Sequence, residues 1–437
     1  MSALALLLQE RGHTVSGSDV HVTPMTEHLR RAGVAITIGH EADTVRGVDL
    51  VTFSPAVREI NVELAAARAG SGTVARRGEV LGSVVASRRT LGVAGTHGKT
   101  TTSSMLASIA LHGVKDPSYL IGEPLAATGV NAHWGDDDLL VLEADESYGT
   151  FTFLSPAIVG ITNVEADHLD YYGTEAALIA AFASLLARAT SAAVVWADDQ
   201  QAAAVGLAAG AQMVGTSPSC HYVVTNLQLS KHGAAFRLLR PHGAPLDLNL
   251  LVGGMHNVAN AALAAAMADL AGLSGEAITS GLAAFSGVAR RYEFRGEVHG
   301  IRMIDDYAHL PSEVAATVSA AAESGFSSLV VIFQPHRYTR MANVGHTFGT
   351  SFNGADFVIV TPIYAAGEDP IASVSSEIVS NVVREHGSVA KVIDVGSLAE
   401  AAEVAARVAI NGSLILTLGA GDSTTLPELL RPLLEQK

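Results

Sequence analysis

Thr90-Leu-Gly-Val-Ala-Gly-Thr-His-Gly-Lys-Thr-Thr-Thr102 decides the reading of this chain. An apolar run, Thr90–Ala94, enters a glycine-rich turn, and a helical pattern, Thr102–Leu111, follows. A strand that feeds such a turn into a helix N-terminus aims backbone N–H groups at an anion. Lys99 is then placed to reach β- and γ-phosphates, and the Thr100 hydroxyl to bind Mg²⁺. The spacing departs from the usual P-loop: two residues separate Gly95 from Gly98, where four are usual.

The same grammar recurs outward from this point. Asp49–Phe53, Leu139–Leu142, Ala157–Thr162, Leu329–Phe333, Phe357–Val360 and Leu414–Leu418 are continuous runs rich in Val, Ile and Leu. Strands covered on both faces have that composition, as in parallel sheets. Ala-rich helical stretches such as Ala176–Ala189 and Asn257–Ala271 lie between them. The reading is therefore an α/β chain. At roughly 100–200 residues per domain, 437 residues make several cores. Junctions are expected near Ser87–Thr90 and Ser286–Arg291, giving segments 1–89, 90–288 and 289–437. His221–Leu250, with turn signals at Lys231–Gly233 and Pro241–Pro245, reads as an antiparallel β excursion within the middle segment.

Composition narrows the function. Twenty-seven Lys and Arg against 43 Asp and Glu leave a net charge of −16. A surface so acidic repels nucleic acid and anionic membranes, so a phosphate site must be local. No apolar run approaches the ~18 residues of a membrane span. One cysteine, Cys220, allows neither an internal disulfide nor a cysteine metal site, which points to a reducing compartment, the cytoplasm.

Acidic clusters end two of the central strands: Glu143-Ala-Asp145-Glu146, and Glu165-Ala-Asp167-His168-Leu-Asp170. Ligands of open parallel sheets sit outside the strands' carboxyl ends. Carboxylates there hold Mg²⁺ directly or through water, and His168 is a further metal ligand candidate. Helix N-terminal charge accounts equally well for Glu165 and Asp167. Asn257 and Asn260 share a helical face and offer the donors and acceptors an adenine edge needs, although an N-cap and a solvated face explain them as simply. Near the C-terminus, Asp305-Asp306-Tyr307-Ala-His309, Gln334-Pro-His336-Arg337-Tyr-Thr-Arg340 and Arg290-Arg291 supply cations and imidazoles at strand-end loops, suited to carboxylate and phosphoryl oxygens.

Together these motifs, in this order, resemble the Mur ligase family, and most closely its alanine-adding branch. The resemblance spans essentially the whole chain, and Ser16-Gly-Ser18-Asp19 and Ser54-Pro-Ala-Val57 resemble parts of the family's UDP-sugar domain. It implies three domains: an N-terminal Rossmann-like domain, a central P-loop-type ATPase with a mostly parallel sheet, and a C-terminal Rossmann-like domain for the amino acid. It also implies the activity, an ATP- and Mg²⁺-dependent joining of L-alanine to the lactyl carboxylate of UDP-N-acetylmuramate through an acyl phosphate. By carry-over, Gly95, Thr96, His97, Gly98, Lys99, Thr100 and Thr101 cradle ATP, and Asn257, Asn260 and Arg291 contact the nucleotide. Thr100 and Glu143 hold one Mg²⁺, and His168 a second metal or the acyl phosphate. Tyr307, His309, Arg337 and Arg340 serve the alanine and acyl-phosphate side, and Ser18, Asp19 and Ser54 the sugar nucleotide. The resemblance says nothing of oligomeric state. Two alternatives remain at this level, a ligase that recycles a tripeptide onto the same sugar nucleotide and a non-catalytic nucleotide-binding relative.

The sequence departs from the family pattern in three places. The family's strand and Gly-x-Gly-Gly-x-Gly turn precede the residue aligned with Met1. A sheet made of Thr14–Ser16, Ala35–Ile38 and Asp49–Phe53 is thus expected to have a central gap. Either a longer natural chain, by roughly 10–25 residues, or weak binding of UDP-N-acetylmuramate is anticipated. Leu310 replaces a second histidine after His309, and Tyr148 stands where a small polar residue is common. No lysine lies between Lys115 and Lys231, so a carbamylated-lysine metal bridge is not expected.

Overall fold

The computed structural model describes residues 1–437 apart from Ala56, Lys231 and His232 and the side chains of Pro24 and Asp170. The sequence readings at Ala56, at the Lys231–His232 turn and at the Asp170 side chain lie outside the described residues. The chain divides into two compact units. One comprises Met1–Asn226, Arg237–Leu248 and Ala259–Phe285; the other comprises Leu227–Phe236, Asn249–Val258 and Ser286–Lys437.

The first unit opens on a helix, Ser2–Glu10, and two short parallel strand pairs. β1 (Ser16–Asp19) pairs with β2 (Ala35–Ile38), and β3 (Leu50–Phe53) with β4 (Thr73–Arg76). Each pair is a separate two-stranded sheet. The first strand is therefore Ser16–Asp19 and not Thr14–Ser16. Its polar Ser-Gly-Ser-Asp sequence lacks the Val/Ile run by which strands are recognised, so Val15 misdirects the reading.

Ten further strands form one sheet: β5 (Arg89–Ala94), β6 (Ser118–Leu120), β7 (Ala132–His133), β8 (Leu139–Glu143), β9 (Ile158–Ile161), β10 (Ala192–Trp196), β11 (Gln212–Gly215), β12 (Tyr222–Ser230), β13 (Gly233–Leu239) and β14 (Leu246–Leu250). Their order is β14-β13-β12-β11-β10-β9-β5-β8-β6-β7. Strand β5 lies between β8 and β9 and parallel to both. The chain leaves β5 toward one side of the sheet and returns on the other, so the carboxyl ends of β5, β8 and β9 meet at a topological switch point. Both sheet faces are covered. Leu140, Leu142, Val159 and Ile161 pack with Val84, Phe151, Phe182 and Leu185 in one buried cluster. Helix Lys99–Gly113 is buried from Thr100 through Ala110, which its Thr/Ser-rich first turns do not advertise.

The second unit carries β15 (Glu293–Val298), β16 (Ile301–Asp306), β17 (Ser328–Phe333), β18 (Phe357–Val360), β19 (Lys391–Asp394) and β20 (Ser413–Leu418). Their order is β15-β16-β20-β17-β18-β19, parallel except for the antiparallel edge strand β15. Strand periodicity explains its unbroken apolar runs. Leu329, Val331 and Phe333 enter a core with Val314, Val318, Phe348 and Phe352, while Val330 and Ile332 enter another with Ala401, Ala405, Leu426 and Leu430. Among the described residues no helix is long and apolar enough to cross a membrane.

Candidate active site

The phosphate-loop turn leaves β5 at Ala94, and the helix starts at Lys99. Gly95 has φ +136° and Gly98 φ +77°, conformations that disfavour side chains. A Cβ on Gly95 would also lie 1.9 Å from Thr162 Oγ1, and one on Gly98 2.5 Å from Asn260 Oδ1. The turn is held open from below by the segment after β9. The Asn163 side chain accepts from His97 N (2.8 Å) and donates to His97 O (3.0 Å), Thr162 Oγ1 donates to His97 O (2.5 Å), and Thr96 Oγ1 donates to Glu165 O (3.1 Å). His97 Nε2 sits 2.8 Å from Glu165 Oε2. Gly95→Ala should therefore lower the melting temperature by several degrees, about 1–3 kcal/mol, the range set by overpacking and a disfavoured φ. A thermal melt within 1 °C of wild type would contradict this geometry.

Carboxylates gather on the other side of the turn. Glu143, ending β8, accepts from Thr100 Oγ1 (3.0 Å) and from Gly122 N (2.7 Å). Lys99 Nζ donates to Gly95 O (2.5 Å), Thr96 O (3.0 Å) and Glu146 Oε1 (2.8 Å). Burial opposes the Lys99 charge, but the Glu146, Asp145 and Glu143 carboxylates outweigh it and raise its pKa. His168, in left-handed backbone (φ +52°), brings Nε2 to 3.9 Å from Glu146 Oε1 and 3.7 Å from Asp167 Oδ2. Thr101 follows within the same buried helical turn. Thr100 and Glu143 together offer hard oxygen donors, the chemistry Mg²⁺ prefers. Among the described residues no group of three or more His, Cys, Asp or Glu is placed to hold a metal ion by itself.

Asn260 lies against Gly98, as the close approach above requires. Asn257, one turn earlier on helix Met255–Leu270, donates from Nδ2 to Gly253 O at 2.8 Å.

In the second unit the carboxyl ends of β16, β20 and β17 adjoin and carry a chain of aromatic and cationic side chains. The Arg290 and Arg291 guanidinium carbons lie 4.8 and 5.1 Å from the Tyr307 ring centroid. Tyr307 meets His309 edge-on, His309 adjoins His336, and His336 stacks on Tyr364. Arg340 Nη1 is 2.8 Å from His336 Nδ1. Burial first, then the neighbouring Arg340 charge, lowers the His336 pKa to about 4, so the neutral ring accepts a hydrogen bond from Arg340. Arg337 heads helix Tyr338–Val344 at φ +67°, its N–H bonded to Tyr364 O.

Asp305 and Asp306 belong to strand β16 itself, which corrects their placement in the following loop. Asp305 accepts from Thr417 Oγ1 at 2.5 Å, and Arg290 spends Nη2 on Gly419 O and Gly421 O, so this pair braces the strand ends. Asp306 accepts from Tyr292 N and Ala308 N, yet burial raises its pKa to about 6. Between the unfolded value near 4 and this value the native state binds the extra proton, so stability falls as pH rises from about 4 to 6. Asp306→Asn should flatten that part of the stability–pH curve, by about 3 kcal/mol at most. An unchanged slope in urea melts at pH 4, 5 and 6 would contradict it.

At the N-terminus, Ser18 Oγ donates to Glu63 Oε2 (2.6 Å) and adjoins His40 Nδ1 (3.0 Å), and Thr44 Oγ1 donates to Glu63 Oε1 (2.6 Å). Asp19 accepts from His21 N. Ser54 directly follows β3, and its carbonyl accepts from Val57 N.

Three family models cover this arrangement in sequence: the Mur ligase family catalytic domain over residues 1–89, the Mur ligase middle domain over 93–268, and the Mur ligase glutamate ligase domain over 290–421. The UDP-N-acetylmuramate–L-alanine ligase of Thermobifida fusca is 39% identical over 440 residues, covering 98% of this chain and 92% of the relative. The chain belongs to the Mur ligase family. The ligase of the same name from Gloeobacter violaceus is also 39% identical, over 99% of this chain and 93% of its own. Among solved structures, the UDP-N-acetylmuramate–alanine ligase of Thermotoga maritima matches with a TM-score of 0.81 and 28% identity, covering 99% of this chain and 96% of that one. A murein peptide ligase from Psychrobacter arcticus matches at 0.68 and 25%, covering 100% and 97%.

Within this Mur ligase the structure brings together Gly95 to Thr101, Glu143, His168 and Asn260 in the first unit. In the second it brings together Arg291, Tyr307, His309 and Arg340. Ser18 lies on β1, and Ser54 directly follows β3. Sequence reasoning gave no role to Asn163, which shapes the loop through both amide atoms, and it grouped Glu146 with the metal-binding carboxylates, whereas the structure sets it on Lys99. It assigned Glu165 equally to helix charge, whereas the structure seats it against His97. Tyr364, stacked on His336, comes from a loop that no motif marks.

Proposed function

We propose that this Mur ligase joins L-alanine to UDP-N-acetylmuramate with hydrolysis of ATP to ADP and phosphate. The observation that carries the reading is the near-full-length similarity, at 39% identity, to relatives bearing that name. The chemistry of the residues agrees with it. Phosphoryl transfer between two anions needs positioning and positive charge more than covalent help. Lys99 and the N–H groups of the loop bind the phosphates, while Asn257, Asn260 and Arg291 contact the nucleotide. Thr100 and Glu143 would hold one Mg²⁺, which would neutralise charge on the phosphates, and His168 would serve a second metal or the acyl phosphate. The lactyl carboxylate takes the γ-phosphoryl group, and the alanine amine displaces phosphate from the acyl carbon, losing a proton as the amide forms. His309, whose pKa burial lowers, and Arg337 and Arg340 with Tyr307 orient the amino acid and the acyl phosphate. Ser18, Asp19 and Ser54 belong to the sugar-nucleotide site. On this reading 1–89 serves the UDP-sugar, 90–288 ATP and 289–437 the amino acid, in the cytoplasm where a single cysteine stays reduced.

Mass spectrometry of reactions containing ATP, Mg²⁺ and UDP-N-acetylmuramate tests it. The alanyl product should form with L-alanine at a kcat/KM at least tenfold above that for L-Ala-γ-D-Glu-meso-diaminopimelate. The reverse preference would make this a peptide ligase, and ATP binding with neither product would make it non-catalytic.

A further inference from the structure

Glu146 has no part in the reaction as described so far, yet it is the most deeply buried acid at the phosphate loop, 1% exposed. One oxygen, Oε1, accepts from Lys99 Nζ at 2.8 Å. The other, Oε2, is buried without a hydrogen-bond partner. Its backbone is pinned as well: the Tyr172 hydroxyl donates to Glu146 O at 2.6 Å and Gly149 N donates to it at 3.0 Å. The left-handed pair Tyr148 (φ +50°) and Gly149 (φ +64°) follows after Ser147 and kinks the chain.

All three ammonium protons of Lys99 are committed here, two to the loop carbonyls of Gly95 and Thr96 and one to Glu146. To meet phosphate oxygens the ammonium must release some of them. The carbonyls remain polar and solvatable if released, whereas Glu146 would be left as a buried, unpaired anion beside a polyphosphate, which is strongly disfavoured. We propose that Glu146 is the positioning residue for Lys99, keeping one ammonium proton while the bonds to Gly95 and Thr96 are exchanged for phosphate oxygens. The ammonium thereby pivots about a fixed carboxylate and its distance from the transferred group is set by the protein. The inference rests on the reading of Lys99 as the phosphate-binding cation.

The test compares Glu146→Gln, Glu146→Ala, Lys99→Ala and the Lys99/Glu146 double alanine variant, all in the full chain. Glu146→Gln keeps size and the acceptor oxygen but not the charge. It should lower kcat about tenfold, with the ATP Kd, measured by calorimetry without other substrates, changed less than threefold. Glu146→Ala should lower kcat further. Because Glu146 acts through Lys99, the double variant should be no slower than Lys99→Ala and bind ATP no more weakly. A purely structural glutamate would depress melting temperature, ATP affinity and kcat together in every background. Wild-type kcat in Glu146→Gln, or losses that multiply in the double variant, would overturn the proposal. Should the wild-type chain bind ATP yet make no alanyl product, the proposed function fails, and the ATP affinities of the single and double variants still decide the role of Glu146.

Discussion

Lys99→Ala should abolish most ATP-dependent turnover, with kcat falling on the order of 10²–10³-fold, the usual cost of removing one preorganised charge from a transition state. The ammonium sits at the head of a buried helix, at the point where β5 lies between β8 and β9, and its charge is reinforced by three nearby carboxylates. Steady-state kinetics with saturating ATP measures the effect. Retention of more than about a tenth of wild-type kcat, equivalent to ~1.4 kcal/mol, would remove Lys99 from the centre of the mechanism.

Arg340→Lys should be nearly as damaging although the charge is kept. One arm of the Arg340 fork is already given to neutral His336, and a planar guanidinium can do this while offering further donors to a carboxylate or phosphoryl group. A lysine ammonium cannot reproduce that geometry. The expected loss in kcat/KM for alanine is roughly 10- to 100-fold, the value of one hydrogen bond to a charged group, with ATP affinity unchanged. Arg337→Lys should act in the same direction. If both variants keep normal kcat/KM, these arginines serve the fold, as Arg290 does through its bonds to Gly419 and Gly421.

The parts legible in the sequence share a physical origin. Strands buried on both faces must be apolar throughout, so Leu139–Leu142 and Leu329–Phe333 announce themselves, and the acidic or cationic residues at their ends follow as site candidates. What escaped depends on tertiary placement. Glu146 meets Lys99 through the tertiary placement of the loop after β8, and nothing in the spacing of Glu143, Asp145 and Glu146 says which carboxylate meets the ammonium. Asp305 and Asp306 look like loop residues because two adjacent acids are rare inside a sheet. Two of their partners, Thr417 and the N–H of Tyr292, come from elsewhere in the chain. The polar strand Ser16–Asp19 gave no apolar signal, and its residues are largely exposed in a two-stranded pair.

Isotope transfer tests the central claim most directly. UDP-N-acetylmuramate labelled with ¹⁸O in its lactyl carboxylate is incubated with the chain, ATP, Mg²⁺ and L-alanine, and the phosphate released is analysed by mass spectrometry. Attack of the carboxylate on the γ-phosphoryl group predicts one carboxylate oxygen in each phosphate formed, in equal amount to the alanyl product. Phosphate that carries no label, or that forms at the same rate without the sugar nucleotide, would contradict the account.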